Sequence, residues 1–209
     1  LWHHPVDRTA WYLAFHLTHN HYTWFYLGEL LRAPPFPLAY VLVKTALTVP
    51  TSLFVPMVLG FGWVLARAIG RQATELEWIL MANAVVSIAL ISHPNVPHFG
   101  GVKHWFPSMP FLAALAAGSL ERGARGLSGW MTPKLKAATE PRVLTALAVL
   151  LGAPALIATA SLYPFGTSAY SELAGGLPGA ASLGMQRQYW ANNLTGVLPW
   201  LNANAKPGE

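Results

Sequence analysis

The sequence predicts an all-α, polytopic helical membrane protein with about four transmembrane helices and an outer-face tail. Three observations predict this class. Charged residues are 10% of the chain and apolar residues 54%, where an ordinary soluble domain has about 25% charged. Four long apolar runs occur within the 209 residues. Lysine and arginine concentrate in alternate connections between those runs, the pattern that the positive-inside rule produces. Nine tryptophans suit a chain whose rings anchor at a bilayer interface. The net charge of +5 suits anionic lipid. It comes without a basic stripe interleaved with aromatics, so no nucleic-acid partner is expected. The absence of cysteine excludes disulfides, thiolate catalysis and Cys-ligated zinc.

Residues 1–45 read as an amphipathic, aromatic-rich segment on the outer face, with "FHLTHNHYTWFYLGE" at 15–29. Leu1 is followed by neither a basic region nor a cleavage site, so no signal peptide is expected and the chain reads as a piece of a longer protein. Residues 46–162 hold the spans. The first is expected near 46–65, kinked by Pro50 and Pro56. The second, near 76–92, has its uncharged stretch from Trp78, and the third lies near 105–120. Both are short, and helices buried in a soluble core are the competing reading. Within the third, "AALAAGS" at 113–119 offers a small-residue packing face. The fourth, near 143–162, carries no charge.

The connection 66–77 holds Arg67 and Arg71, and 121–142 holds Arg122, Arg125, Lys134, Lys136 and Arg142. Both should be cytoplasmic, leaving the N-terminal segment, the 93–104 loop and the 163–209 tail on the outer side. The tail is too polar and glycine-rich to span, yet too aromatic for disorder, so an ordered appendage is expected. Glu172 and Arg187 are its notable charges, and a pair between them would account for both.

Two polar clusters therefore meet on one face. His16, His19, His21, His93, His98 and His104 have spacings that suit metal ligands in part. No HExxH pattern accompanies them and Glu29 is the one nearby carboxylate, so no metal or other cofactor is predicted and a divalent ion is the weaker reading. Lys44, at the mouth of the first span, suits either snorkelling to the interface or a phosphate at the membrane surface. Lys103 and His104 follow Gly100-Gly101, where a bare backbone and two adjacent basic groups suit a phosphate or an interface anchor. Asn193-Leu194-Thr195 forms a glycosylation sequon, to which the bacterial style of the sequence gives little weight. No GxSxG, P-loop or dinucleotide fingerprint is present. Residue chemistry alone leaves open an enzyme, a transporter or flippase for a lipid-linked anion, and a non-catalytic membrane subunit.

Three stretches resemble one family. "HNHYTWFYLGE" followed by "PLAYVLVKTALTVP" resembles the Gly-His…Tyr-Leu-x-Gly and Lys-Thr-Pro stretches of lipid-carrier-dependent membrane glycosyltransferases. His21, Leu27, Gly28, Lys44 and Thr45 match, Asn20 replaces the glycine, and the proline is delayed to Pro50. "GVKHWFPSMPFL" resembles their Arg-Tyr-x-x-Pro-x-x-Pro-Phe stretch, with Lys103 for arginine. "YPFGTSAYSELAGGLPGA" resembles the stretch after their last span, with Tyr170, Glu172, Leu173, Gly175, Gly176 and Ala180 matching and Ser171 replacing asparagine. The family is glycosyltransferase family 39, related to the protein O-mannosyltransferases and the aminoarabinose transferases, and its fold is GT-C. The resemblance covers most of the chain as the C-terminal part of such an enzyme.

The resemblance implies transfer of a sugar from a polyprenyl or dolichyl phosphate to an acceptor hydroxyl or amine on a protein, glycan or lipid. Transfer would occur on the periplasmic face of a bacterial inner membrane. Lys44, Lys103, His104 and His21 would contact the donor phosphate or its lipid. Tyr22, Trp24, Glu29 and His98 would contact sugar, prenyl chain or acceptor. Tyr170, Glu172, Gly175 and Gly176 would order the tail. The family's catalytic acid lies in an earlier outer loop, and Asp7, Glu29, Glu172 and Glu209 do not fit its motif. The chain by itself is thus expected to be inactive.

Overall fold

A computed structural model describes residues 3–17, 23–96, 101–135, 137–186 and 194–205. The stretch expected as the first span is two helices. Pro50 has no amide hydrogen and pushes the residue before it out of helical geometry. Val49 is accordingly extended (φ −74°, ψ 131°), ending α2 (Tyr40–Thr48) before α3 (Thr51–Ile69) begins. The helix that fills the expected first span therefore starts at Thr51 rather than residue 46, and α3 continues through Pro56.

Upstream lie the exposed helix α1 (Pro5–Leu17) and a hairpin, β1 (Trp24–Tyr26) against β2 (Glu29–Leu31), with Trp24 opposite Leu31. Leu27 (φ 48°) and Gly28 (φ 86°) supply the left-handed pair that a two-residue hairpin turn requires. Downstream, α4 (Glu75–Ile91) opens with a capping box in which the Thr74 and Glu77 side chains each serve the other's backbone amide.

Two 3₁₀ turns, Gly101–His104 and Phe106–Ser108, precede α5 (Met109–Met131). This helix runs well past residue 120, because Glu121 and Arg125 pair across one turn at 2.7 Å and no proline interrupts it. Then come α6 (Glu140–Ser161), the short α7 (Gly176–Ser182) and α8 (Leu194–Asn204).

The ends of α3 to α6 segregate by charge. Glu77 at the start of α4 lies 3.0 Å from Arg67 on α3 and 3.7 Å from Arg122 on α5. Arg125 on α5 reaches Glu140 at the start of α6 at 3.4 Å. The connections rich in lysine and arginine thus lie at one end of the bundle. The other end holds α2, the 3₁₀ turns and residues 163–186.

Only 17% of the most apolar stretch of α3 and 11% of that of α6 is buried, and both helices are long and apolar enough to cross a membrane. A core helix of a water-soluble protein hides such a surface. The α4 helix has 17 residues, about 25 Å, which is short of a hydrocarbon core of about 30 Å. The apolar part of α5 is likewise short. The expectation of four spans thus meets two helices that qualify by length and composition among the described residues.

The small-residue face of α5 packs on α3. A Cβ built at Gly60 would stand 2.0 Å from the Leu115 carbonyl oxygen, and the Ser119 hydroxyl donates to the Pro56 carbonyl at 2.9 Å.

The cap end has its own aromatic core. Trp24, Tyr26, Phe36, Tyr40, Trp105 and Tyr170 are all buried. Trp24 sits 4.8 Å from Phe36, and Tyr40 meets Trp105 edge-on at 6.2 Å. The tail returns to the hairpin, where Gly28 N–H donates to the Gly184 carbonyl (3.1 Å) and Gln186 N–H to the Phe25 carbonyl (3.0 Å). The Phe25 N–H in turn donates to Gln186 Oε1 at 3.0 Å.

Candidate phosphate-binding site

Helix α2 buries Tyr40, Val41, Lys44 and Thr45, the i, i+1, i+4, i+5 face that packs under the cap. Lysine on such a face is unusual, and Lys44 is 2% exposed. It does not snorkel to water. Its ammonium donates to Tyr170 Oη at 2.6 Å and stands 4.0 Å from the centre of that ring. Tyr170 Oη donates onward to the Gln186 carbonyl at 2.5 Å. The adjoining residue is equally fixed, because Trp105 Nε1 donates to Thr45 Oγ1 at 2.8 Å. Lys44 precedes the helix break, outside α3, and burial pushes its ammonium pKa down to about 7.

A cavity of about 360 Å³ opens beside this lysine. Lys44, Lys103, Thr48, Thr167, Phe106 and Gly101 contribute to its wall, and no carboxylate among the described residues does. Lys103 reaches it from the Gly101–His104 turn, which begins with Gly101 at φ 60°. Partial burial lowers the Lys103 ammonium pKa as well. Two cations, two hydroxyls and the backbone of a glycine turn around a volume of this size suit a phosphate-sized anion.

The structure thus brings together two residues that the sequence singles out, Lys44 and Lys103. His104 is half-buried next to Lys103 but is not part of the cavity wall. Trp24 is corrected: it lies in the cap core against Phe36 and Tyr40, so its ring is not free to stack on a ligand. Glu29 is exposed on the hairpin, away from the cavity wall. His19, His21, Tyr22, His98 and Arg187 lie outside the described residues, as does the side chain of His16. Among the described residues no three His, Asp or Glu side chains gather as metal ligands. His93 accepts a 3.3 Å bond from the Asn95 amide.

Tyr170 was expected only to order the tail, and it holds the site's buried cation. Its partner is 126 residues away, so nothing local in the sequence marks the contact. Gly175 (φ 74°) and Gly176 (φ 64°) both occupy left-handed backbone, which explains the pair.

Glu172 serves α3. Its carboxylate accepts from the Thr51 amide at 3.0 Å, while the Leu173 amide donates to Thr51 Oγ1 at 3.1 Å. The Thr51 amide holds the Glu172 carboxyl below the usual carboxylate range. Glu172→Ala should therefore lower stability by about 1 kcal/mol, the usual value of a lost N-terminal cap. Because the folded-state pKa is depressed, this contribution is present above the unfolded carboxylate value and fades as pH falls through the folded one. Thermal unfolding of both proteins at pH 7 and at pH 4 checks this, with the gap expected to narrow in acid.

Comparison of the chain with protein-family models, with curated proteins and with solved structures finds no match.

Proposed function

We propose that this chain forms the donor-phosphate side of a membrane glycosyltransferase, which moves a sugar from a polyprenyl or dolichyl phosphate to an acceptor on the outer face. The observation that supports it most is the cavity walled by buried Lys44 and by Lys103, with no carboxylate among the described residues of its wall. It lies at the end of the bundle opposite the Arg67–Glu77–Arg122 cluster. The largely exposed apolar surfaces of α3 and α6 support a membrane setting, with the charged end cytoplasmic and the cap periplasmic.

In such a reaction the bond between the sugar C1 and the phosphate oxygen breaks while C1 bonds to the acceptor oxygen or nitrogen. The electron pair leaves with the phosphate. Lys44 and Lys103 would take up that charge, and Lys44 does so from a dry site where a cation acts more strongly than in water. Tyr170 holds Lys44 in place. The base that deprotonates the acceptor is not assigned to this chain.

Since the Lys44 pKa is about 7, the charged form prevails below that pH. Donor affinity should weaken above pH 7, approaching about tenfold per unit if only the charged form binds. Titrating a fluorescent polyprenyl phosphate against the full-length protein from pH 6 to 9 measures this.

Transfer is tested with membranes containing the full-length protein, a radiolabelled polyprenyl-phosphate sugar and an acceptor fraction. Donor-dependent labelling is the expected result. Binding of the donor without labelling would favour a non-catalytic subunit, and movement of the carrier lipid without labelling would favour a transporter. Failure to bind any polyprenyl phosphate would remove the reading altogether.

A further inference from the structure

At the charged end of the bundle a second cavity, of about 680 Å³, is walled by Leu59, Trp63, Ser119, Arg122, Arg125 and Gly126. Its floor is apolar and its rim carries two arginines, and no carboxylate among the described residues lines it. Arg122 governs the rim. Its guanidinium lies 4.9 Å over the Trp63 ring and is 36% exposed. The approach to Glu77, at 3.7 Å, exceeds hydrogen-bond distance. The Arg122 guanidinium makes no side-chain hydrogen bond among the described residues, so beside its ion pair with Glu77 this planar cation has N–H donors left for a further anion. Space for it exists because residue 118 is glycine, where a Cβ would stand 3.1 Å from Arg122 Nη1. Arg125 is already engaged, with Glu121 at 2.7 Å and Glu140 at 3.4 Å, which leaves Arg122 as the cation available to an anion here. Leu59 and Trp63 continue the floor along the exposed apolar side of α3.

We infer that this cavity holds the headgroup phosphate of an anionic phospholipid from the cytoplasmic leaflet, with Arg122 as its principal contact and an acyl chain along Leu59 and Trp63. A soluble phosphate has no use for the apolar floor, whereas a lipid uses rim and floor together. The inference rests on the membrane setting proposed above, and it does not depend on sugar transfer.

The test uses full-length protein reconstituted in phosphatidylcholine nanodiscs containing a minor fraction of phosphatidylglycerol. Native mass spectrometry then reads the lipid that stays bound. Wild type should retain phosphatidylglycerol over phosphatidylcholine, and Arg122→Gln should reduce that preference about tenfold, the scale of one charge-assisted contact. Arg71→Gln, at the same end but outside the cavity wall, should leave it unchanged. Equal retention of the two lipids by wild type overturns the inference without relying on any variant. So does displacement of phosphatidylglycerol by millimolar inorganic phosphate, which would mark a soluble-anion site. Alkaline carbonate extraction separates the two failures. Release of the protein from membranes would defeat the membrane setting, whereas an embedded protein without lipid preference defeats this inference alone.

Discussion

Lys44→Met is expected to lower kcat/KM for donor-dependent transfer about 100-fold, the scale seen when one preorganised electrostatic stabiliser is removed. Methionine keeps most of the length and apolar volume of the lysine stem, so the buried face of α2 stays filled. The ammonium vanishes from the wall of the cavity, and Lys103 is left as its one lysine among the described residues. Stability should not fall. A lysine whose folded pKa is about 7 instead of 10.5 is held in the fold at a disadvantage while charged, and folding gains as pH rises from 7 toward 10.5. Removing the charge removes that penalty, and Tyr170 keeps its bond to the Gln186 carbonyl. The diagnostic result is lost transfer with an unchanged or raised Tm. Wild-type transfer by the variant would show that Lys44 is only a structural cation.

Gly60→Ala should destabilise the bundle by about 3 kcal/mol, at the upper end of ordinary overpacking. The added methyl would stand 2.0 Å from the Leu115 carbonyl oxygen and 2.4 Å from its carbon. Both atoms are backbone, so no side chain can rotate away, and α3 and α5 must part along their most extensive contact. Gly62→Ala, two residues along the same helix, meets nothing within 4 Å. It should be neutral or stabilising by up to about 1 kcal/mol through helix propensity. Thermal unfolding of the two variants in one detergent isolates the packing effect. Equal melting temperatures would mean that the helices do not approach as closely as described.

The two variants probe features of unequal visibility in the sequence. Charge placement was legible: positive residues in alternate connections anticipated the end where Arg67, Glu77, Arg122 and Arg125 meet, because ionic side chains avoid apolar segments at any distance along the chain. Lys44 and Lys103 were legible as basic groups on one face. Helix ends were not. Hydropathy reads transfer energy and is blind to φ and ψ, so it joined α2 to α3 across Val49-Pro50. It also stopped the third span at residue 120, although the Glu121–Arg125 pair carries α5 to Met131. Trp24 looked like a stacking platform because aromatic residues near polar ones serve both binding sites and cores. Only its contacts with Phe36 and Tyr40 decide between them. The Tyr170 contact with Lys44 joins residues 126 apart, and no local pattern encodes such a meeting.

That separation also fixes an order of events. Lys44 emerges from the ribosome long before Tyr170 and Gln186, and until both have been made its ammonium has no tyrosine to rest against and stays hydrated. The same holds for Thr51, whose carboxylate cap arrives 121 residues later. The lysine site can therefore close only after residues 170–186 have been made. A truncation before residue 170 would leave the Lys44 ammonium without its tyrosine partner.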